Sequence, residues 1–148
     1  MIIDSHCHLN YEPMSLSLKE TIDRANKNGI KYILTISTED KSYDKILNII
    51  SNNKCVFGSY GIHPHEAKNH LSIKSEDIIK KTKLNKKIIG IGESGLDFYY
   101  NHSDKNDQIM CFEDHIIEAQ NTQLPLIVHT RDAEAETVEI LKKRLKIK

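Results

Sequence analysis

Short apolar runs alternate with longer amphipathic stretches from one end of this chain to the other, and that alternation restricts the fold more than any other feature. Runs suited to buried strands occupy residues 1–4, 32–37, 56–61, 88–92 and 126–129. Helix candidates fill the intervals at residues 16–28, 41–53, 75–83, 105–123 and 133–143. In the fourth, Ile109, Phe112, Ile116 and Ala119 recur at helical spacing and give one face to lay on a sheet. Leu124-Pro125 closes it, because the residue before a proline is driven out of the helical region. Strand and helix in repeated succession imply parallel pairing, since a parallel neighbour needs a crossover about as long as a helix. The fold class is therefore α/β, and residues 1–148 read as a single domain without linker or internal repeat. Five such units cannot close an eight-stranded barrel, so the sheet is either complete and open or the first part of something longer.

Composition agrees with a folded domain. A chain of 148 residues buries roughly 68–70% of its unfolded surface, enough for a core without staples. Lys plus Arg equals Asp plus Glu at 21 each, so net charge supplies no long-range attraction to nucleic acid or membrane. The lysine-rich stretches at residues 74–87 and 142–148, and the acidic one at 93–118, read as solvated helix faces. Cys7, Cys55 and Cys111 are odd in number and far apart, which argues against a disulfide framework and fits a reducing compartment. With no basic leader before an apolar run and no long apolar span, the expected location is the cytoplasm, with no membrane partner.

The polar residues gather where strands end, which is the functional face of a parallel α/β architecture. In DSHCHL, a period of two sends Asp4, His6 and His8 to one side and Ser5, Cys7 and Leu9 to the other. Two imidazoles then converge, a spacing that suits a transition metal. In GIGESGLDFYY, Glu93 follows an apolar run on the alternating face of Ile89 and Ile91. A carboxylate there needs a positive partner, either a basic side chain or bridged metal ions. GIHPH sets His63 and His65 at the mouth of the third strand, with Pro64 stiffening the loop. LPLIVHTRDA brings His129 to the same level, followed by Arg131 and Asp132. Asp4, Asp97 and Asp132 are weaker candidates, and His70, His102 and His115 read as structural or solvated. Such a rim of imidazoles and carboxylate is the equipment of a hydrolase that activates water on divalent ions. Neither a nucleophile elbow nor a phosphate loop is present; GIGESG lacks the required spacing.

DSHCHL, GIHPH, GIGESGLDFYY, QIMCFEDHIIEA and LPLIVHTRDA, in that order, resemble the TatD family of metal-dependent deoxyribonucleases, within the amidohydrolase-like superfamily of TIM barrels. The resemblance covers nearly the whole chain and implies about five of the eight βα units, with the barrel incomplete. It implies that His6 and His8 bind one metal, that Glu93 is the catalytic metal bridge, and that His129 binds the second ion. The ions would be magnesium, manganese or zinc. His63, His65 and Arg131 would lie near a substrate phosphate, and DNA phosphodiesters would be hydrolysed. Family members also carry a further metal-binding histidine and a late water-orienting aspartate, which have no counterpart in these residues, so activity of this chain is impaired on that reading. Two alternatives stand beside it. One is an inactive or split remnant acting as a weak metal-binding or assembly module; the other is a hydrolase of a small amide, lactone or phosphoester. Unpaired edges at the first and fifth strands would favour self-association or a complementary C-terminal fragment.

Overall fold

The computed structural model describes residues 1–145. Its strands are β1 (Ile2–Cys7), β2 (Ile30–Thr35), β3 (Val56–Tyr60), β4 (Ile88–Asp97) and β5 (Leu126–Arg131). Between and after them run α1 (Leu18–Lys27), α2 (Tyr43–Asn52), α3 (Ser75–Thr82), α4 (Lys105–Thr122) and α5 (Glu134–Leu145). All neighbouring strands pair in parallel, in the order β1-β2-β3-β4-β5. The sheet curls as part of a barrel and does not close, as the five-unit alternation implies.

Burial explains the layering. Ile33, Val56, Ile88 and Ile91 from the strands pack with Ile46, Ile49, Ile50 and Ile78 from α2 and α3. A second cluster joins Leu96 of β4 to Phe112 and Ile116 of α4 and to Ala133. Each fully buried side chain of this size stabilises by roughly 1.5–3 kcal/mol relative to leaving it in water. Conversely, Ile2, Ile3, Tyr32, Ile89 and Val128 are exposed on their strands. Parallel sheets are normally covered on both faces.

Several boundaries differ from the sequence reading for identifiable reasons. Single 3-10 turns, Met14–Ser17 and Asp40–Ser42, replace the expected first turns of α1 and α2. Gln123 ends α4 in the left-handed region, φ 57°, immediately before Leu124-Pro125. The lysines at residues 74–87 do more than solvate helix faces. Lys81 Nζ lies 2.9 Å from Asp40, and Lys87 Nζ donates at 2.6 Å to the carbonyls of Ile50 and Asn53 at the end of α2.

The largest departure is in β4, which continues to Asp97 instead of stopping at Gly92. Its ladder with β5 breaks after Ile91↔Leu126, then resumes from Ser94↔Val128 to Asp97↔Arg131. Two glycines allow this approach. At Gly92, φ +126°, an added Cβ would stand 2.4 Å from the Ile127 carbonyl oxygen; at Gly95, φ +152°, it would stand 2.0 Å from that of His129. Ile89 and Ile91 also fail to share a face. The register with β3 steps from Gly58↔Ile88 to Ser59↔Gly90, leaving Ile89 40% exposed while Ile91 is fully buried. Strict alternation therefore does not set the direction of Glu93. A similar slip between Asp4 and Cys7 in β1 separates Asp4 from the pair it was expected to join.

Candidate metal centre

His6 sits near the end of β1 and His8 in the turn that follows it. His63 caps the 3-10 segment Pro64–Asn69 after β3, Glu93 lies within β4 and His129 within β5. All five line one cleft, together with His65, Glu66, Tyr11 and Thr38. The strand-end residues expected to converge thus do so, with Asp4 and Asp132 outside the two groups of potential ligands.

Glu93 is the centre of the arrangement. Its Oε2 lies 3.3 Å from His6 Nε2 and 4.0 Å from His8 Nε2. Its Oε1 lies 3.1 Å from His129 Nδ1. One carboxylate oxygen therefore faces each histidine group. His6, His8 and Glu93 bring ligand atoms close enough to hold one ion, and so do His63, Glu93 and His129. His8 Nδ1 is 3.1 Å from the Ile36 carbonyl; donating there leaves the Nε2 lone pair facing Glu93, the orientation a ligand requires.

The second group is more constrained than its distances suggest. The amide of His65 donates to His63 Nδ1 at 3.2 Å, so the proton of the neutral His63 ring sits on Nε2. That atom is 3.2 Å from His129 Nδ1. In this tautomer His63 presents a donor to the cleft and would have to release the His65 amide to become a ligand. Its other neighbour, His65, places Nε2 2.7 Å from Asp97 Oδ2. Arg131 stands apart from the ligand groups, its guanidinium stacked 4.3 Å over the ring of Tyr99 and 4.6 Å over that of Tyr100. His102 stacks on Tyr100 and packs edge-on against His65, so it borders the site instead of being merely solvated.

Charge follows geometry. Burial raises the Glu93 carboxyl, but the His129 hydrogen bond and the nearby His63 and His6 outweigh it and hold the group below the usual carboxylate range. The Glu93 hydrogen bond raises His129, with Asp97 adding to the effect against burial. Burial, reinforced by the charge of His129, pushes His63 down to about 4. Burial also pushes the Cys7 and Cys111 thiols up to about 12, which keeps both protonated and leaves them without a nucleophilic role.

Imidazole nitrogens and carboxylate oxygens around an open cleft fit a divalent ion such as zinc, manganese or magnesium, since the set offers intermediate and hard donors and no thiolate. Comparison with known proteins agrees. The profile of the TatD-related DNase family matches residues 3–147. This chain belongs to that family. An uncharacterized metal-dependent hydrolase of Buchnera aphidicola subsp. Baizongia pistaciae is 37% identical over 147 residues, covering 95% of this chain and 54% of the relative. YabD of Bacillus subtilis, also described as an uncharacterized metal-dependent hydrolase, is 32% identical, covering 96% and 55%. Deoxyribonuclease Tat-D of Schizosaccharomyces pombe is 31% identical, covering 84% and 43%. The crystal structure of the Escherichia coli TatD homologue YjjV superposes with a TM-score of 0.87 over 97% of this chain and 56% of that one; at 24% identity this concerns the fold. The chain thus spans about half the length of the TatD relatives it matches.

Sequence reasoning undervalued one residue of this TatD site. Asp97 is 1% exposed, and its Oδ2 contacts both His65 and His129 Nε2, the latter at 3.2 Å. The amides of Tyr99 and Tyr100 donate to its Oδ1. Buried Gln108 then locks the backbone, accepting from Asp97 N at 2.8 Å and donating to Asp97 O at 3.1 Å. Burial alone would raise the Asp97 carboxyl, but the Tyr100 amide and the two imidazoles bring it to about 2. The available signal was a carboxylate in an apolar context, GLDF, four residues after Glu93.

Proposed function

We propose that this chain carries the N-terminal part of the active centre of a metal-dependent DNA phosphodiester hydrolase. The observation that supports it best is Glu93, which offers Oε2 to His6 and His8 and Oε1 to His129. On this reading His6, His8 and Glu93 would hold one ion, and Glu93 and His129 would hold a second. Divalent ions bound there would supply a water acidic enough to attack at neutral pH and would neutralise charge on phosphoryl oxygens. His63 would offer its Nε2–H to a phosphate oxygen; His65 lines the same cleft, and Arg131, held over Tyr99 and Tyr100, would supply a cation to the substrate from beside it. The deoxyribonuclease description of the Schizosaccharomyces relative favours DNA over other phosphoesters. The exposed apolar residues of β1, β2, β4 and β5 further support completion of the barrel by the remaining βα units, in the same chain or supplied in trans, with DNA as the partner of the completed site.

The test compares wild type, His6→Ala and Glu93→Gln, each supplied with the remaining barrel units. Hydrolysis of DNA dependent on magnesium, manganese or zinc, lost in Glu93→Gln, is the expected result. Retained DNA hydrolysis in Glu93→Gln, or hydrolysis confined to amide and lactone substrates, would refute the assignment.

A further inference from the structure

The histidines and Asp97 form a directional chain. His65 N–H donates to His63 Nδ1, which places the His63 proton on Nε2. That N–H lies 3.2 Å from His129 Nδ1, which also stands 3.1 Å from Glu93 Oε1, so Nδ1 donates to Glu93 when the ring is protonated and is the atom that gives up its proton when an ion binds. Asp97 Oδ2 accepts from His129 Nε2 at 3.2 Å, and with the His63 N–H facing Nδ1 the neutral His129 ring keeps its proton on Nε2. We infer that Asp97 is a positioning residue that holds His129 in the tautomer whose Nδ1 lone pair faces the ion site shared with Glu93. The inference rests on the reading of Glu93 and His129 as ligands, and it assigns Asp97 no contact with ion or substrate.

Two observations and one general tendency carry it. The carboxylate is buried, and its two oxygens have separate tasks: Oδ1 accepts the amides of Tyr99 and Tyr100, while Oδ2 accepts from two imidazoles. The backbone of Asp97 is held by both ends of the buried Gln108 amide, so the oxygen that meets His129 has little freedom to move. Metal-ligating imidazoles commonly give their second N–H to a carboxylate, which fixes tautomer and ring orientation. Asp97 also ties His129 to His65, so one oxygen orients a ligand candidate and a residue of the substrate path.

An asparagine at this position separates positioning from simple support. Its oxygen would keep the Tyr99 and Tyr100 amides, and its NH2 would then face His65 and His129. A donor facing Nε2 favours the opposite tautomer, with the proton on Nδ1, where an ion could no longer be bound; a tautomer fault of the same kind impairs an asparagine variant of the serine-protease triad. Alanine removes the acceptor without presenting a donor, and water can enter. The experiment measures Mn2+ affinity by calorimetry for wild type, Asp97→Asn and Asp97→Ala, with ring 15N chemical shifts of His129 in the metal-free chain above neutral pH. Asp97→Asn is expected to lower affinity about 10–100-fold, to move the His129 proton to Nδ1, and to bind more weakly than Asp97→Ala. The metal-free ring shifts decide the matter independently of any activity. An Asp97→Asn chain with the wild-type His129 tautomer overturns the inference, as does Mn2+ affinity equal to wild type. Failure to hydrolyse DNA, with the tautomer exchange and weaker binding observed, would instead count against the nuclease reading alone.

Discussion

His115 couples pH to the stability of the cleft wall. It is 1% exposed in α4, with Nδ1 2.7 Å from the Cys111 carbonyl and Nε2 accepting the Ile62 amide at 3.1 Å. The neutral ring satisfies both partners with its proton on Nδ1. A second proton on Nε2 would face the Ile62 N–H, next to His63. Burial accordingly pushes His115 down to about 4. A folded value below the unfolded one, about 6.5, means the unfolded chain binds more protons between the two. The contribution is therefore complete above about pH 6.5 and is lost as pH falls towards about 4, a total of about 3 kcal/mol. Between about pH 7.5 and about pH 5 the loss is about 2 kcal/mol. His63 shifts in the same direction, so the slope of wild type alone does not isolate the effect. Urea unfolding of wild type and His115→Gln at both pH values does, because glutamine can donate and accept at the same places without titrating. The variant should lose about 2 kcal/mol less on acidification. Equal slopes, or a His115 ring that titrates near 6.5 by NMR, would refute the reasoning.

Other perturbations test the frame around the site. Gly95→Ala forces a Cβ into the His129 carbonyl and should destabilise by at least about 2 kcal/mol, seen as a lower urea midpoint. Gln108→Ala strands the buried amide of Asp97 and should lower stability by about 1–3 kcal/mol, with weaker Mn2+ binding in calorimetry. Phe112→Ala empties the centre of the second cluster and should lower unfolding free energy by about 3–5 kcal/mol while leaving the Mn2+ stoichiometry unchanged in the folded fraction.

What the sequence determined by itself was the α/β alternation, the five parallel units and the strand ends that carry His6, His8, His63, His65, Glu93 and His129. These are local signals: a hydrophobic period, a proline after a helix, a polar residue where an apolar run stops. The spacing of Ile109, Phe112, Ile116 and Ala119 foretold the face that α4 lays on the sheet, with Phe112 and Ile116 fully buried there. The actual direction of Glu93 was not legible, because a slip in strand register reverses every side chain beyond it and is chosen by the neighbouring strand. Gly92 and Gly95 permit that slip, but their need for an absent Cβ exists only once β5 lies against them. Asp97 was undervalued for the same reason. Its partners are His65, 32 residues before it, and His129, 32 after, and Gln108 reaches it from a helix. Whether a buried carboxylate is a cost or a fixture depends on which donors surround it, and only the tertiary structure brings those donors within hydrogen-bonding distance.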